Sequence, residues 1–95
     1  MEFEWDNGNL LKSLIKHGIT QQESEQVFLG TYLMEIDETH SVGEIRFKLL
    51  GKTHDGKILH IIFTTRTNKI RIISSRPASK NERNIYEAKK VKENP

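Results

Sequence analysis

The feature that most limits the fold is an arginine set inside a strand that is apolar on both faces. Ile70, Ile72 and Ile73 surround Arg71, and Arg66 and Arg76 stand near the ends of the same run. A strand apolar on both sides lies within a sheet, with a neighbour on each side. Arginine is almost never fully buried unless it is paired. The anion that meets it is either internal, Glu44 or another carboxylate, or external, a phosphate.

The charge distribution favours the external anion. Residues 1–44 carry nine acids against Lys12 and Lys16, a net of −7. Residues 45–95 carry thirteen bases against Asp55, Glu82, Glu87 and Glu93, a net of +9, so the overall +2 hides a strong split. Such asymmetry points to nucleic acid as the partner of the second half. The competing reading is that the two halves neutralise each other.

A chain of 95 residues makes one domain, 1–95, with a tail that frays after about residue 91. It has no cysteine, hence no disulfide and no thiolate metal site. No apolar run approaches the ~18 residues of a membrane span. The acidic start, Met1 to Asp6, lacks the basic and apolar regions of a signal peptide. A cytoplasmic protein with no membrane contact is expected.

Local signals give the order α-α-β-β-β-β-α, an α+β chain with a four-stranded antiparallel meander. Residues 2–5 are extended. Asp6 caps a helix over about 6–16 that buries Leu10, Leu11, Leu14 and Ile15, and Gly18 ends it. Thr20 and Glu23 form a capping box for a second helix to about residue 29, whose apolar face, Val27 and Phe28, is thin. Strands follow over 31–36, 44–50, 58–65 and 70–75, with an Asp55-Gly56 hairpin signal. Ser79 and Glu82 form the capping box of the last helix. If Asn68-Lys69 is a two-residue loop, Arg66 lies opposite Arg71. If the loop is 67–69, Arg66 shares a face with Ile70, Ile72 and Arg76.

None of His17, His40, His54 and His60 has metal-ligand spacing. His17 suits a helix C-terminus, His54 a turn, and His60 a packed strand position. His40 lies in a polar loop near Glu44 and Arg46 and is either a solvated loop residue or a site residue. The groups present suffice for metal-free cleavage of RNA. A base takes the 2′-hydroxyl proton, the oxygen attacks phosphorus, and arginines stabilise the charge that develops. Trp5 and Tyr86 are the aromatic candidates for stacking on bases, and Trp5 is expected to be a packed anchor instead.

Several segments, in order, carry a resemblance: Glu4-Trp5-Asp6, Lys16-His17-Gly18-Ile19, Val27-Phe28, the run 37–46, Gly51, Phe63 to Arg66, Ile70 to Arg76, and Ala78, Glu82, Arg83 and Tyr86. Together they resemble the BrnT family of bacterial type II toxins. The resemblance implies a RelE-like ribonuclease that blocks translation, with helices on one sheet face and RNA on the other. It implies a BrnA-like ribbon-helix-helix antitoxin, and repression of operator DNA through that antitoxin. Its polar motif positions are His40, Glu44, Arg46, Arg66, Arg71 and Arg76. Gln21, Ser24 and Ser75 depart from the family pattern without removing a motif charge.

The expected activity is thus a metal-independent endoribonuclease without cofactor. His40, Glu44, Arg46, Arg66 and Arg76 are the catalytic candidates. Arg71, Lys80, Arg83 and Tyr86 are the RNA-binding candidates. The alternatives are a non-catalytic nucleic-acid-binding or complex-forming module and a structural domain. The thin face of the second helix also predicts self-association, as a homodimer, or dependence on the antitoxin.

Overall fold

The computed structural model describes residues 1–10 and 12–93. The elements are β1 (Glu2–Phe3), α1 (Asn7–Leu10), α2 (Lys12–His17), α3 (Gln21–Val27), β2 (Tyr32–Ile36), β3 (Phe47–Lys52), β4 (Ile58–Arg66), β5 (Lys69–Pro77) and α4 (Lys80–Glu93). A 3-10 turn, Glu38–His40, lies between β2 and β3. The residues past 91, where fraying is expected, end in Asn94 and Pro95, outside the described residues.

The chain is α+β, but the sheet has five strands rather than four, in the order β1-β5-β4-β3-β2. The meander from β2 to β5 is antiparallel as expected. The added strand is β1, which pairs parallel to β5 through Glu2 with Lys69 and Phe3 with Ile70. It is only two residues long, too short to show a period, so alternation could not reveal it. Its pairing gives β5 a neighbour on each side, which is the interior position that its isoleucines demand.

The first helix departs from its apolar pattern. It is described as α1 and α2, with Leu11 and the side chain of Leu10, both expected on the buried face, outside the described residues. Asp6 caps α1 by accepting the Gly8 N–H at 2.8 Å, and Gly18, at φ +69°, closes α2 by donating to Leu14 O at 2.9 Å. Leu14 and Ile15 are exposed, Ile15 by 78%, whereas Asn9 and Ser13 are buried. The cause is the edge of β5 beyond the short β1. There Asn9 Nδ2 donates to Ile72 O at 2.9 Å, and Ser75 N donates to Ser13 Oγ at 2.9 Å. Two polar side chains thus continue a ladder that β1 leaves unfinished, and buried backbone groups find their partners.

The other caps form as read. Thr20 and Glu23 make a reciprocal box at α3, and Ser79 and Glu82 make one at α4. Val27 and Phe28, at the end of α3, join Ile19, Leu49, Leu59, Ile61, Phe63 and Ile72 in the core. Val27 packs so closely over Gly51 that a Cβ there would stand 2.6 Å from Val27 Cγ1. Trp5 packs against this core and donates Nε1–H to Glu25 Oε2 at 2.7 Å, in keeping with an anchor.

The β4–β5 turn is neither of the two expected loops. Thr67 and Asn68 both have positive φ, 52° and 64°, as a two-residue primed turn requires, so Arg66 pairs with Lys69. Arg71 faces Thr64. A register shift between Ile62 and Phe63 leaves Ile73 as an extra residue on β5, and the shift carries Arg76 opposite His60.

Candidate functional site

Alternation along these registers puts Lys48 of β3, His60, Ile62, Thr64 and Arg66 of β4, and Lys69, Arg71, Ser74 and Arg76 of β5 on one face, away from α3. Arg46, just before β3, continues this row beside Thr64, whose hydroxyl donates to Ile45 O at 2.7 Å. Most of the cations of the second half's sheet therefore share a surface. α4 covers part of it, contrary to the expectation that helices occupy one side only. A groove of about 330 Å³ lies between α4 and the sheet, lined among others by Leu33, Lys48, Leu50, His60, Asn81 and Ile85.

Three of the four arginines on this face meet internal anions. Arg71, with a side chain only 15% exposed, bonds Glu4 at 3.0 Å and Asp6 at 2.8 and 3.1 Å. This corrects the external anion proposed for it, and its acids lie in the acidic first half. Hydrogen bonds from Arg71 hold the Asp6 carboxyl below its usual range, and the same contacts raise the guanidinium. Arg66 forks onto Glu44 at 3.2 and 3.2 Å. Glu44 therefore pairs with Arg66 rather than with Arg46. That hydrogen bonding, with the charges of Arg66, Arg46 and Arg71, lowers the Glu44 carboxyl. A carboxylate held ionised in this way is a weaker proton acceptor, which suits it to orient Arg66.

Arg76 forks onto Glu82 at 2.8 and 3.0 Å. The same carboxylate caps α4, and its pKa is lowered to about 2, first by the Arg76 hydrogen bonds. His60 Nε2 stands 3.6 Å from Glu82. Burial, then the charge of Arg76, push the His60 imidazole down. Its Nδ1 is buried with no hydrogen-bond partner among the described residues. Sequence reasoning left His60 as a packed strand residue. Its place opposite Arg76 depends on the bulge in β5, which no sequence period announces.

Arg46 differs from the others. It is half-buried, and among the described residues no carboxylate lies within 4 Å of it. Its Nε is buried without a hydrogen-bond partner among the described residues. The loop before it is laced to its backbone: Asp37 N donates to Arg46 O at 2.8 Å, and Arg46 N donates to Ser41 Oγ at 2.9 Å. His40, 66% exposed at its side chain, bonds Asp37 Oδ2 through Nδ1 at 2.9 Å.

The remaining candidates are placed on α4. Lys80 and Arg83 are exposed in its first turn, and Arg83 donates to Ala78 O at 3.0 Å. Tyr86 is 2% exposed and donates its hydroxyl to Thr31 O at 2.8 Å. A ring so buried offers no face to a base, which corrects its assignment to stacking. Among the described residues no group of three or more His, Cys, Asp or Glu side chains gathers to hold a metal ion.

The sequence matches the family model of the ribonuclease toxin BrnT of type II toxin–antitoxin systems over residues 5–82. The match covers His40, the whole sheet from β2 to β5, and the first turn of α4, so the chain belongs to this family. No curated protein matches it.

Proposed function

We propose that this member of the BrnT ribonuclease toxins is a metal-independent endoribonuclease of the bacterial cytoplasm that inhibits translation. Family membership supplies the type II toxin and ribonuclease character. The observation that carries the finer reading is Arg46, a half-buried guanidinium without a carboxylate partner among the described residues, beside the Glu44–Arg66 pair and the His40 loop. A phosphate is the anion that such a group lacks.

In the proposed reaction the RNA backbone lies along the cationic face. Arg46 and Arg66 stabilise the charge that grows on the phosphoryl oxygens, and Arg76, opposite His60 and six positions along β4 from Arg66, meets the backbone of a neighbouring nucleotide. Glu44 orients Arg66. His40 exchanges protons with the reacting oxygens. The 2′-oxygen bonds to phosphorus, the bond to the 5′-oxygen breaks, and the products end in a 2′,3′-cyclic phosphate and a 5′-hydroxyl. Lys80 and Arg83 add positive field rather than base recognition, whereas the charge of Arg71 is already met by Glu4 and Asp6.

The partner in this reading is a BrnA-like ribbon-helix-helix antitoxin that joins the toxin on operator DNA. The exposed apolar side chains Ile15, Leu29, Met34 and Ile36 support a protein partner or a homodimer. A second reading, a nucleic-acid-binding or complex-forming module without catalysis on a RelE-like fold, is favoured by the carboxylates that already occupy Arg66, Arg71 and Arg76. Incubation with RNA in a chelating buffer separates the two. Cyclic-phosphate ends that disappear with Arg46→Ala support the enzyme. Binding without cleavage supports the module.

A further inference from the structure

His40 is held by an unusual neighbour. Asp37 precedes the 3-10 turn at the position where an aspartate ordinarily caps a backbone N–H, yet its carboxylate makes no such bond. Backbone closure of the loop is left largely to Ser41, whose hydroxyl donates to Asp37 O at 2.7 Å and accepts from Arg46 N at 2.9 Å. The Asp37 side chain, 5% exposed, turns instead to His40 Nδ1 at 2.9 Å. Burying a carboxylate is costly, and a clasp for a surface loop does not require it.

We propose that Asp37 is a positioning residue for His40 in RNA cleavage, fixing the imidazole with its proton on Nδ1 and leaving Nε2 free to exchange protons with the RNA. This rests on the ribonuclease reading above. An ionised carboxylate accepts only, so the hydrogen in the 2.9 Å contact belongs to Nδ1 and the lone pair of the neutral ring to Nε2. Nε2 takes the 2′-hydroxyl proton as the 2′-oxygen bonds to phosphorus. The P–O5′ bond breaks, the 5′-oxygen takes a proton from water, and the hydroxide left behind takes the proton back from the imidazolium. Asp37 stays ionised throughout and stabilises the imidazolium that forms. The other charges around this pair are Glu38 in the same turn, Glu44 and Arg46 after it, and His60 on β4, which senses the Asp37 charge. None of them bonds Nδ1, so the orientation depends on Asp37.

The test combines pH–rate profiles on RNA with nitrogen NMR of the imidazole. Wild-type protein is expected to show neutral His40 protonated on Nδ1. Asp37→Asn is expected to keep KM, lower kcat at least about 10-fold, and change the shape of the pH–rate profile. Asp37→Asn combined with His40→Ala is expected to be no worse than His40→Ala alone. A wild-type His40 protonated on Nε2 overturns the inference without any variant, so a failure of Asp37→Asn to fold leaves the test intact. Strictly additive losses in the double variant also overturn it. Wild-type protein that leaves RNA uncut refutes the ribonuclease reading itself. Wild-type cleavage matched in rate and pH profile by Asp37→Asn refutes this inference alone.

Discussion

Glu82 is where helix, sheet and site meet, and Glu82→Gln isolates its charge. Glutamine at this position keeps the reciprocal cap with Ser79, but gives Arg76 a neutral partner in place of the carboxylate at 2.8 and 3.0 Å. The folded pKa of about 2, against an ordinary 4.5, corresponds to about 3 kcal/mol of differential interaction. The side chain is 20% exposed, and solvent screening reduces the expected loss to about 1–2 kcal/mol. Because the folded pKa is depressed, this stability is present above pH 4.5 and drains as pH falls toward 2. Urea unfolding at pH 7 should show the midpoint lowered by roughly 0.5–1.5 M in Glu82→Gln. Repeated down to pH 2, the two curves should converge. Equal stability at pH 7, or a gap that persists undiminished at pH 2, refutes the reasoning.

Three further outcomes follow from the packing and the charge map. Arg46→Ala should change stability by less than about 1 kcal/mol, since it breaks no ion pair, and should lower the slope of log affinity for RNA against log salt by about 1; titrations across a salt series check it. Gly51→Ala, with its Cβ 2.6 Å from Val27 Cγ1, should cost about 1–3 kcal/mol in thermal or urea melts. Trp5→Ala removes a partly buried anchor and its bond to Glu25, so it should lower stability by about 2–3 kcal/mol while RNA affinity per folded molecule holds, measured by melting and titration together.

What the sequence made legible was local chemistry. Asp6, Thr20 with Glu23, Gly18 and Ser79 with Glu82 act within a few residues of themselves, so their spacing alone announces them. The isoleucines of β5 likewise announced an interior strand. Leu14 and Ile15 were wrongly placed on the buried face of the first helix, because Asn9 and Ser13 answer backbone groups of β5 that lie 63 and 62 residues away. The partners of Arg71 were missed for the same reason. Glu4 and Asp6 come within reach only once β1 lies along β5. In the candidate site, the family resemblance singled out His40, Glu44, Arg46 and Arg66 as polar motif positions. The pairing of Glu44 with Arg66, the seat of His60 beside Glu82, and the turning of Asp37 toward His40 depend on register, on a bulge and on burial, which no spacing encodes.

The parallel pairing of β1 with β5 also bears on when the chain can fold. Glu4 and Arg71 are separated by 67 positions, whereas β3, β4 and β5 are joined by short hairpins. Contacts between distant parts of a chain form late, because a long loop must close before they contribute. The meander is the natural nucleus, with the amino-terminal strand and α1 docking last. During synthesis residues 2–13 thus wait for residues 69–75. A truncated product that stops before β5 lacks the strand on which Asn9 and Ser13 are seated, so it has no finished core and keeps only Arg46 and Arg66 of the arginine row.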